Sequence, residues 1–326
     1  MLNLLSINKK INSFNKKIIV SGDKSLSIRW ALLASQATGK SRAYNLLMSE
    51  DVIATLDALK KLGIKIIFKN RYCEIFGNGI NGFKYKKNLI IDAKNSGTFG
   101  RLILGLLIKS PQKIKLIGDR SLSKRDFSRV TKPLQRFGAQ FSYKNKNKLP
   151  LSIIGSKAPK GINYLETKGS AQCKSVVMLA GLNANNKTTI KAKKSRNHSE
   201  LLFKYLKIPI KIKKNKKYDF IKIQKPKKIR PFNYKIPGDI SSSAFFIALT
   251  ILSNNSKLLI KNININPSRK GVIIILKKMG AKISFRNQKK YRGENIADIF
   301  VKTSNNLKAI NCPPEINSSA IDEFLI

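Results

Sequence analysis

Three stretches of the chain share one pattern: LKKLGIKIIF (59–68), LQRFGAQFSY (134–143) and LKKMGAKISF (276–285). Each reads as the end of a helix, a glycine that closes it, and then a strand of β-branched and aromatic residues. A fourth copy, LFKYLKIPIKI (202–212), has Lys207 at the glycine position. Because the pattern returns after roughly 70 residues, we predict a fold built from repeated units.

A second series of segments runs in phase with the first. Loops rich in glycine and serine lead into strongly apolar helices at GDKSLSIRWALLA (22–34), NSGTFGRLILGLLI (95–108), GSAQCKSVVMLAGL (169–182) and PGDISSSAFFIALTIL (237–252). Each unit therefore carries one mostly apolar, buried helix and one amphipathic helix, such as VIATLDALKKLG (52–63), with strands between them. This order predicts layered α/β architecture, with sheets packed on helices.

A fifth junction of this kind, NSSAIDEFLI (317–326), ends with the chain. We expect the junction to begin a buried helix that does not develop. The sequence therefore predicts a polypeptide that is truncated or that a separate C-terminal fragment completes.

The charge of the chain is its most unusual bulk property. Lys and Arg number 65 against 17 Asp and Glu, which gives a net charge of +48. Such a charge suits nucleic acid. However, lysine and asparagine crowd loops such as KNKNK (144–148), and no interleaving of aromatic and basic residues stands out. We favour compositional bias and expect no nucleic-acid partner.

Several protein classes are excluded by simple features. No run of 18 apolar residues predicts a membrane span, and the N-terminus shows no secretory signal. Three scattered cysteines without a CxxC pair fit a reducing compartment and argue against a disulfide framework or a zinc site. We expect a cytoplasmic protein, without a membrane partner, that holds no metal.

The first loop, SGDKSLSIR (21–29), predicts an anion site. A helix N-terminus offers free backbone N–H groups, and Lys24 and Arg29 add charge to it. The plainer alternative is that Ser25 only caps the helix and both cations are solvated. The stretch ASQATGKS (34–41) loosely fits a P-loop, but we read 28–38 as helix and Gly39 as its C-cap, so ATP binding is not expected.

Acid–base chemistry must come from few groups. The single histidine, His198, is expected to be a polar residue at the start of a helix, not a catalyst. Asp239 and Asp322 both stand where helices begin, where a carboxylate also serves as a plain cap. Carboxylates and lysines are therefore the candidate acids and bases.

The motifs, taken in order, resemble the EPSP synthase family (3-phosphoshikimate 1-carboxyvinyltransferase). The resemblance spans essentially the whole chain, through SGDKSLSIRWALLAS (21–35), NLLMSEDVIATLDALKKLG (45–63), NSGTFGRLI (95–103), GDRSLSKRDFSRVTKPLQRFGA (118–139), SAQCKSVVMLAGL (170–182), SRNHSE (195–200), PGDISSSAFF (237–246), NPSRKGVIIILKKMGA (266–281) and AIDEFLI (320–326).

The resemblance implies a two-domain inside-out α/β barrel, each domain made of three βαβαββ units. One domain would combine residues 1–20 with 236–326 and would be incomplete, and 21–235 would form the other. The implied reaction moves the enolpyruvyl group of phosphoenolpyruvate to the 5-hydroxyl of shikimate 3-phosphate, in chorismate biosynthesis. It proceeds by addition and elimination through a tetrahedral intermediate, without metal or organic cofactor.

The resemblance also implies roles for individual residues. Lys24 would touch both substrates, and Asp322 would accept the proton of the 5-hydroxyl. Gly97 would let the backbone approach phosphoenolpyruvate, and Arg125 would pair with its charge. The remaining candidate substrate ligands are Ser25, Arg29, Asn95, Ser170, Gln172 and Arg196.

Departures from the family pattern qualify this reading. Ser21, Asp23 and Asp126 replace the usual Pro, Ser and Pro, which puts loop geometry in question. A later motif that completes the phosphoenolpyruvate site is absent, so we expect the chain alone to bind shikimate 3-phosphate weakly and to turn over little or nothing. We expect a monomer, or a chain that a separate C-terminal fragment completes. Two alternatives stay open: a UDP-N-acetylglucosamine enolpyruvyl transferase, and a non-catalytic, basic remnant that binds anions or nucleic acid.

Overall fold

A computed structural model describes residues 11–69 and 72–326. Expectations for residues 1–10, including the start of the first predicted domain, lie outside the described residues. The elements are, in order, β1 (Asn15–Ile18), α1 (Lys24–Ser35), β2 (Thr38–Tyr44), α2 (Glu50–Lys61), β3 (Lys65–Lys69), β4 (Tyr72–Asn78), β5 (Leu89–Asp92), α3 (Gly97–Leu106), β6 (Ile114–Ile117), α4 (Arg120–Ser123), α5 (Ser128–Arg136), β7 (Gln140–Tyr143), β8 (Leu151–Ile154), β9 (Asn163–Glu166), α6 (Ala171–Gly181), β10 (Thr188–Lys193), α7 (His198–Tyr205), β11 (Ile210–Lys214), β12 (Tyr218–Ile223), β13 (Asn233–Lys235), α8 (Ile240–Leu252), β14 (Lys257–Asn264), α9 (Gly271–Lys278), β15 (Ile283–Tyr291), β16 (Glu294–Lys302), a 3-10 turn (Pro314–Ile316) and α10 (Asn317–Ala320).

The described strands form four-stranded sheets of one design. Strands β5, β6, β8 and β7 lie side by side in that order, and β9, β10, β12 and β11 repeat the arrangement. In each sheet the first two strands are parallel and the last two pairings are antiparallel. The parallel pair needs a crossover, which the buried helix supplies. The predicted α/β fold of repeated βαβαββ units is confirmed.

The other two sheets exchange their first strands. Strand β13 pairs in parallel with β2 and completes the sheet of β2, β4 and β3. Strand β1 pairs in parallel with β14 and completes the sheet of β14, β16 and β15. A strand from near the start of the chain therefore belongs to the sheet built from its last strands.

The residues that close the amphipathic helices all adopt positive φ. Gly63, Gly138 and Gly280 have φ of 83°, 99° and 101°, and Lys207 has φ of 55° at the corresponding place. A left-handed residue after the helix ends the helical hydrogen bonding and turns the chain into the next strand. The repeat predicted from these positions is confirmed, and Lys207 retains the conformation without the glycine that usually permits it.

By internal contacts the chain divides into two compact units. Unit 2 comprises Gly22–Ile236 with Arg292–Glu294 and holds three of the sheets. Its helices α1, α3 and α6 are buried along most of their length, and α3 contacts both of the others. A Cβ on Gly105 would lie 2.5 Å from the carbonyl oxygen of Val176, so this glycine lets α3 and α6 pack backbone to backbone.

Unit 1 comprises the described part of Met1–Ser21, with Pro237–Tyr291 and Asn295–Ile326. Helix α8 packs one face on its sheet through residues including Ile240, Ala244, Ile247 and Ile251. The opposite face exposes Phe245 and Leu252 by 64% and 74% of their surface. The prediction of a mostly apolar, buried helix is therefore only half right for α8: the helix is apolar, but no second helix of this class covers its outer face among the described residues of unit 1.

The assignment of Gly39 also needs correction. Helix α1 ends at Ser35, with Gln36 as its C-cap, and Gly39 lies inside strand β2 opposite Gly77 of β4. The predicted helix to residue 38 is too long because the chain joins the sheet at Thr38, where pairing with Asn78 replaces helical hydrogen bonds. Across the described ranges, the helices are too short or too polar for one to cross a membrane.

Candidate active site

The first predicted anion loop leads into α1 at a tightly packed turn. A Cβ on Gly22 would lie 2.1 Å from the carbonyl oxygen of Asn45, so only glycine fits there. The Asp23 carboxylate caps the helix by accepting from the amide of Leu26 at 2.9 Å. Ser25 is therefore not the cap, and its hydroxyl, half-buried in the first turn, keeps hydrogen-bonding capacity for a ligand.

Lys24, the first residue of α1, is half-exposed, and its Nζ lies 3.6 Å from the carboxylate of Asp51. Arg29, one turn further on, is 5% exposed. The Arg29 guanidinium donates to the Ser199 hydroxyl at 2.9 Å, to the Ser175 hydroxyl at 3.3 Å and to the carbonyl of Ser25 at 3.1 Å. These neighbours hold the group in place without neutralising it.

The electrostatic state of Arg29 follows from that burial. Burial lowers the pKa of the guanidinium to about 10, and only part of the shift is offset by the attraction of Asp23 and Glu200. The charge of Arg196 lies close enough to lower the pKa further. An anion placed here would therefore be attracted by two arginines in a poorly hydrated place.

The first turn of α3 gathers two more arginines around Gly97. The place where a Cβ would stand on Gly97 is 3.0 Å from Nη1 of Arg125 and 3.3 Å from Nη1 of Arg101. Any side chain there would push these guanidinium groups away. Burial, with Arg125 and Arg129 nearby, lowers the pKa of Arg101. The missing side chain of Gly97 therefore makes room for these two cations, and the approach of a ligand to its backbone stays a prediction.

Gln172 joins the start of α6 to the start of α3. Its side-chain oxygen accepts from Nη1 of Arg101 at 2.6 Å, and its amide nitrogen donates to the Thr98 hydroxyl at 3.0 Å. Ser170, just before it, is the N-cap of α6 and accepts from the amide of Cys173 at 3.3 Å. Both predicted ligands therefore have structural partners in this state of the protein.

Asn95, a predicted substrate ligand, is bound to a neighbouring loop in this structure, and its contact with substrate stays a prediction. Its amide donates to the carboxylate of Asp119, which also caps α4 through the amide of Leu122 at 2.7 Å. The hydrogen bonds from Leu122 and then Asn95 lower the pKa of Asp119. Asn95 thus ties the start of α3 to the start of α4, and it supports the loop that carries Arg125.

Two of the residues that depart from the family pattern, Asp23 and Asp126, accept hydrogen bonds at the starts of helices. Asp126 accepts from both the amide and the hydroxyl of Ser128, each at 2.7 Å, at the start of α5. With Asp23 as the cap of α1, both substituted loops keep a defined geometry. Both carboxylates stabilise helix starts, because the positive end of the helix dipole attracts a negative charge.

The structure brings most of the predicted residues of unit 2 together. Arg29, in the second turn of α1, reaches Ser175 in the second turn of α6, and Gln172 in the first turn of α6 reaches α3. The N-terminal halves of α1, α3 and α6 therefore meet. Among the described residues, Arg29, Arg101 and Arg125 have no carboxylate within ion-pair distance. Free backbone N–H groups, hydroxyls and three guanidinium groups form a place that suits a small polyanion.

Sequence reasoning missed several residues of this site. Arg101 stands within the quoted motif NSGTFGRLI, four residues after Gly97, and that helical spacing could have placed it on the same face. Ser175 and Ser199 gave no comparable signal. The buried pair of Lys174 and Glu200, 2.6 Å apart, joins α6 to α7 and was not foreseen either.

His198 begins α7, as predicted, but it is also buried. Its Nδ1 lies 2.7 Å from the carboxylate of Glu294, and both side chains are almost fully enclosed. The neighbouring Glu294 belongs to unit 2 by its contacts. This arrangement supports a structural part for His198.

Asp322 lies in unit 1, beside a different arginine. Its Oδ2 accepts from Nη1 of Arg269 at 2.9 Å, and Arg269 is 5% exposed. Nη2 of Arg269 donates to the Ser241 hydroxyl at 2.5 Å and lies 3.5 Å from the carboxylate of Asp239. Asp239 caps α8 through the amide of Ser241, which agrees with the plainer expectation for that residue.

Glu323 completes the surroundings of Arg269. Its carboxylate lies 3.9 Å from the guanidinium and accepts from Ser241. In the described part of the chain no group of three His, Cys, Asp or Glu side chains has the arrangement of a metal site. Asp239, Asp322 and Glu323 together form an ion cluster around Arg269.

Comparisons with known proteins agree on one family. The model of the family "EPSP synthase (3-phosphoshikimate 1-carboxyvinyltransferase)" matches residues 8–323. A 3-phosphoshikimate 1-carboxyvinyltransferase of Ruthia magnifica is 41% identical over 97% of this chain and 71% of its own length. The enzyme of that name from Zymomonas mobilis is 37% identical over 98% of this chain and 71% of its own. A solved EPSP synthase of Acinetobacter baumannii superposes with a TM-score of 0.86 at 36% identity, over 96% of this chain and 70% of that one.

Proposed function

Because the chain belongs to the EPSP synthase family, we propose that it transfers the enolpyruvyl group of phosphoenolpyruvate to the 5-hydroxyl of shikimate 3-phosphate. The products are 5-enolpyruvylshikimate 3-phosphate and inorganic phosphate. The observation that carries the proposal is the meeting of three helix starts in unit 2, where three arginines lie without carboxylate partners among the described residues. Both substrates are small polyanions, and such a place binds them by charge and by hydrogen bonding.

We assign shikimate 3-phosphate to the α1 and α6 side of this place. Ser25, Ser170 and Gln172 offer hydroxyl and amide groups to the ring and its phosphate. Arg29 has three of its five N–H groups bound by protein oxygens, which leaves two for a ligand. Arg196 adds its charge from the start of α7.

We assign phosphoenolpyruvate to the start of α3. Arg125 lies over Gly97, and Arg101 is held there by Gln172 at 2.6 Å. A carboxylate or phosphate can take up bidentate hydrogen bonds from a guanidinium group while it accepts from the free N–H groups of the helix. Lys24, on a flexible stem at the start of α1, is proposed to touch both substrates.

The chemistry is an addition followed by an elimination. The 5-oxygen attacks C2 of phosphoenolpyruvate as a proton is delivered to C3, which gives a tetrahedral intermediate. Loss of a proton from C3 and departure of phosphate from C2 then restore the double bond. The cations lower the barrier by positioning two anions side by side and by holding the phosphate that leaves.

Asp322 stays a prediction as the acceptor of the 5-hydroxyl proton. In unit 1 its Oδ2 is bound by Arg269, so a base function needs the other carboxylate oxygen or release from the arginine. The cytoplasmic location, the monomeric state and the domain bounds predicted from the sequence likewise stay predictions.

Calorimetry of the 326-residue chain with shikimate 3-phosphate tests the proposal. We expect saturable binding that Lys24→Ala weakens about tenfold, since one charge-assisted hydrogen bond contributes roughly 1.5–3 kcal/mol. The matched control is Lys115→Ala, which removes an exposed lysine from the outer side of β6. UDP-N-acetylglucosamine serves as the ligand control.

Two results would contradict the proposal. One is the absence of shikimate 3-phosphate binding by a chain that circular dichroism shows to be folded. The other is an equal loss of affinity in Lys24→Ala and Lys115→Ala, because that would mean that binding follows net charge and not this site. Repeating the titrations at two salt concentrations separates general attraction from specific contacts.

A further inference from the structure

The sheet of β9, β10, β12 and β11 presents an outer face made of lysines around one exposed aromatic ring. Strand pairing places Lys191 of β10 and Lys213 of β11 directly opposite Phe220 of β12, one on each side. Leu165 of β9 extends the same row beyond Lys191. The row therefore reads cation, aromatic ring, cation and aliphatic side chain across the sheet.

A second row runs beside the first. Lys211 of β11 lies opposite Lys222 of β12, and Thr189 of β10 follows. Like charges directly opposite each other on neighbouring strands are unfavourable. A further lysine, Lys187, lies against Lys222 and lowers the pKa of its ammonium group. Lys191, Lys211, Lys213 and Lys222 line an open groove of about 510 Å³.

The acidic residues of these strands do not relieve the repulsion. Asp219 and Glu166 are buried on the inner side, at 6% and 3% exposure. The four described strands therefore carry no carboxylate on the outer face.

The sheet of β13, β2, β4 and β3 in the same unit gives the contrast. In that sheet, Glu74 of β4 directly precedes the buried Ile75. In the same way, Lys222 of β12 directly precedes the buried Ile223. Glu74 pairs with Arg42 at 2.6 Å and with Lys40 at 3.7 Å. Glu74 thus pairs with two cations of its own sheet, whereas the outer face around Lys222 has no carboxylate and leaves its cations for an external anion.

The aromatic ring indicates what kind of anion fits. Phe220 is 39% exposed in the middle of the lysines, and Lys191 lies between Phe220 and Tyr218, 5.8 and 4.9 Å from the two ring centres. An exposed ring on a sheet, bordered by cations, is the arrangement with which proteins stack an unpaired base and hold the phosphates on either side. The lysines at 211 and 213, two residues apart along a strand, are spaced by roughly 7 Å.

We propose that this lysine face, defined by Lys187, Lys191, Lys211, Lys213, Lys222 and Phe220, binds single-stranded nucleic acid without strong sequence preference. The base stacks on Phe220, and the flanking phosphates pair with the lysines. A duplex keeps its base faces covered and gains only the charge contacts. The interleaving of aromatic and basic groups is absent from the linear sequence because it is made across strands.

Fluorescence anisotropy with a labelled 12-nucleotide oligothymidine tests this proposal. The triple variant Lys191→Gln, Lys213→Gln and Lys222→Gln should bind at least tenfold more weakly at low salt. Its slope of log affinity against log salt should fall by about 2, which is three phosphate contacts at roughly 0.7 each. Phe220→Leu should weaken binding by roughly fivefold or more with the slope unchanged, because only stacking is lost.

The charge-matched control changes three other clustered lysines, Lys257, Lys282 and Lys302, to glutamine. These lysines line a groove in unit 1. Each triple variant loses three lysines, so the net charge of the two variants falls equally. We expect less than threefold weakening from this control. Circular dichroism and the melting temperature establish that each variant is folded.

Four results would overturn the proposal. Equal losses of affinity in the two triple variants would mean that binding depends on net charge and not on this face. An unchanged affinity in Phe220→Leu would remove the stacking contact. Equal affinity for a duplex of the same length would exclude recognition of an unpaired strand. Binding to vesicles of anionic lipid without binding to the oligonucleotide would assign the face to a membrane surface.

Discussion

Two buried arginines, one in each unit, show how the same side chain serves different ends. Arg29 and Arg269 are both 5% exposed. Arg29 donates to two serine hydroxyls and a carbonyl, and its charge meets no carboxylate at ion-pair distance in the described chain. Arg269 lies 2.9 to 3.9 Å from the carboxylates of Asp322, Asp239 and Glu323.

The difference teaches which arginine is free to bind a ligand. A buried charge is expensive unless it is paired, so the carboxylates around Arg269 make it a structural cation. Hydroxyls orient Arg29 but leave its charge to be satisfied by something else. The arginine with incomplete compensation is the one that the proposed function assigns to an anionic substrate.

The largest effect is expected from Arg269→Met. The change leaves three carboxylates close together without their cation, and breaking such a buried cluster costs about 3–5 kcal/mol of folding free energy. Urea unfolding followed by circular dichroism measures this loss. Arg286→Met, an exposed arginine stacked on Phe300 at 3.8 Å, is the control and should cost less than about 1 kcal/mol. Similar losses of folding free energy in the two variants would contradict the structural role that we assign to Arg269.

A smaller effect on stability, but a large one on binding, is expected from Arg29→Met. Affinity for shikimate 3-phosphate should fall about 100-fold, since two charge-assisted hydrogen bonds are lost. The free energy of unfolding should change by less than about 1 kcal/mol, because an uncompensated buried charge is replaced by an apolar chain of similar length. Calorimetry and urea unfolding of one preparation report both quantities. A large destabilisation of Arg29→Met with unchanged affinity for shikimate 3-phosphate would mean that Arg29 is a structural arginine, as we infer for Arg269.

An intermediate case sharpens the role of the hydroxyls. Ser199→Ala removes the acceptor of the Arg29 Nε–H group at 2.9 Å, and Ser175, 2.7 Å from Ser199, remains. We expect affinity for shikimate 3-phosphate to fall about fivefold, since a misoriented guanidinium loses part of one hydrogen bond. Ser199→Thr keeps the hydroxyl and should restore affinity. Failure of the threonine variant to recover, although it folds, would show that packing and not the hydroxyl matters.

The smallest effect concerns pH and tests charge compensation elsewhere in unit 1. Burial alone would raise the pKa of Asp298, but hydrogen bonds from Lys261, Asn262 and Asn287 outweigh it and lower the pKa. A carboxyl with a lowered folded pKa stabilises the fold above its unfolded pKa of about 3.9 and loses that contribution as the pH falls through the folded value. Asp298→Asn should therefore lower the urea midpoint at pH 6 and leave it nearly unchanged at the lowest pH at which both proteins fold. A difference that persists unchanged at low pH would contradict this.

Local rules made much of the fold predictable from the sequence. The glycines at 63, 138 and 280 close helices, and their spacing revealed the repeat. The glycine- and serine-rich loops before α1 and α3 also predicted that helices follow them, although α1 begins at Lys24, ahead of the predicted Ile28. The exchange of β1 and β13 between sheets was not predictable from residue types, because strand pairing depends on partners that are distant in the chain.

The sequence by itself determined the repeated α/β units and the first anion loop, because these depend on residue types and spacing along the chain. The ordered motifs pointed to the family, and the resemblance supplied the other candidate ligands. Only the tertiary structure decided which charges have carboxylate partners. Arg29 is bound by hydroxyls from α6 and α7, whereas Arg269 lies beside carboxylates up to 54 residues away. Glu74 pairs with Arg42 in one sheet, whereas Lys222 lies against another lysine in a second sheet. The physical reason is that electrostatic energy depends on distance through space and on burial, and neither can be read from neighbours in sequence.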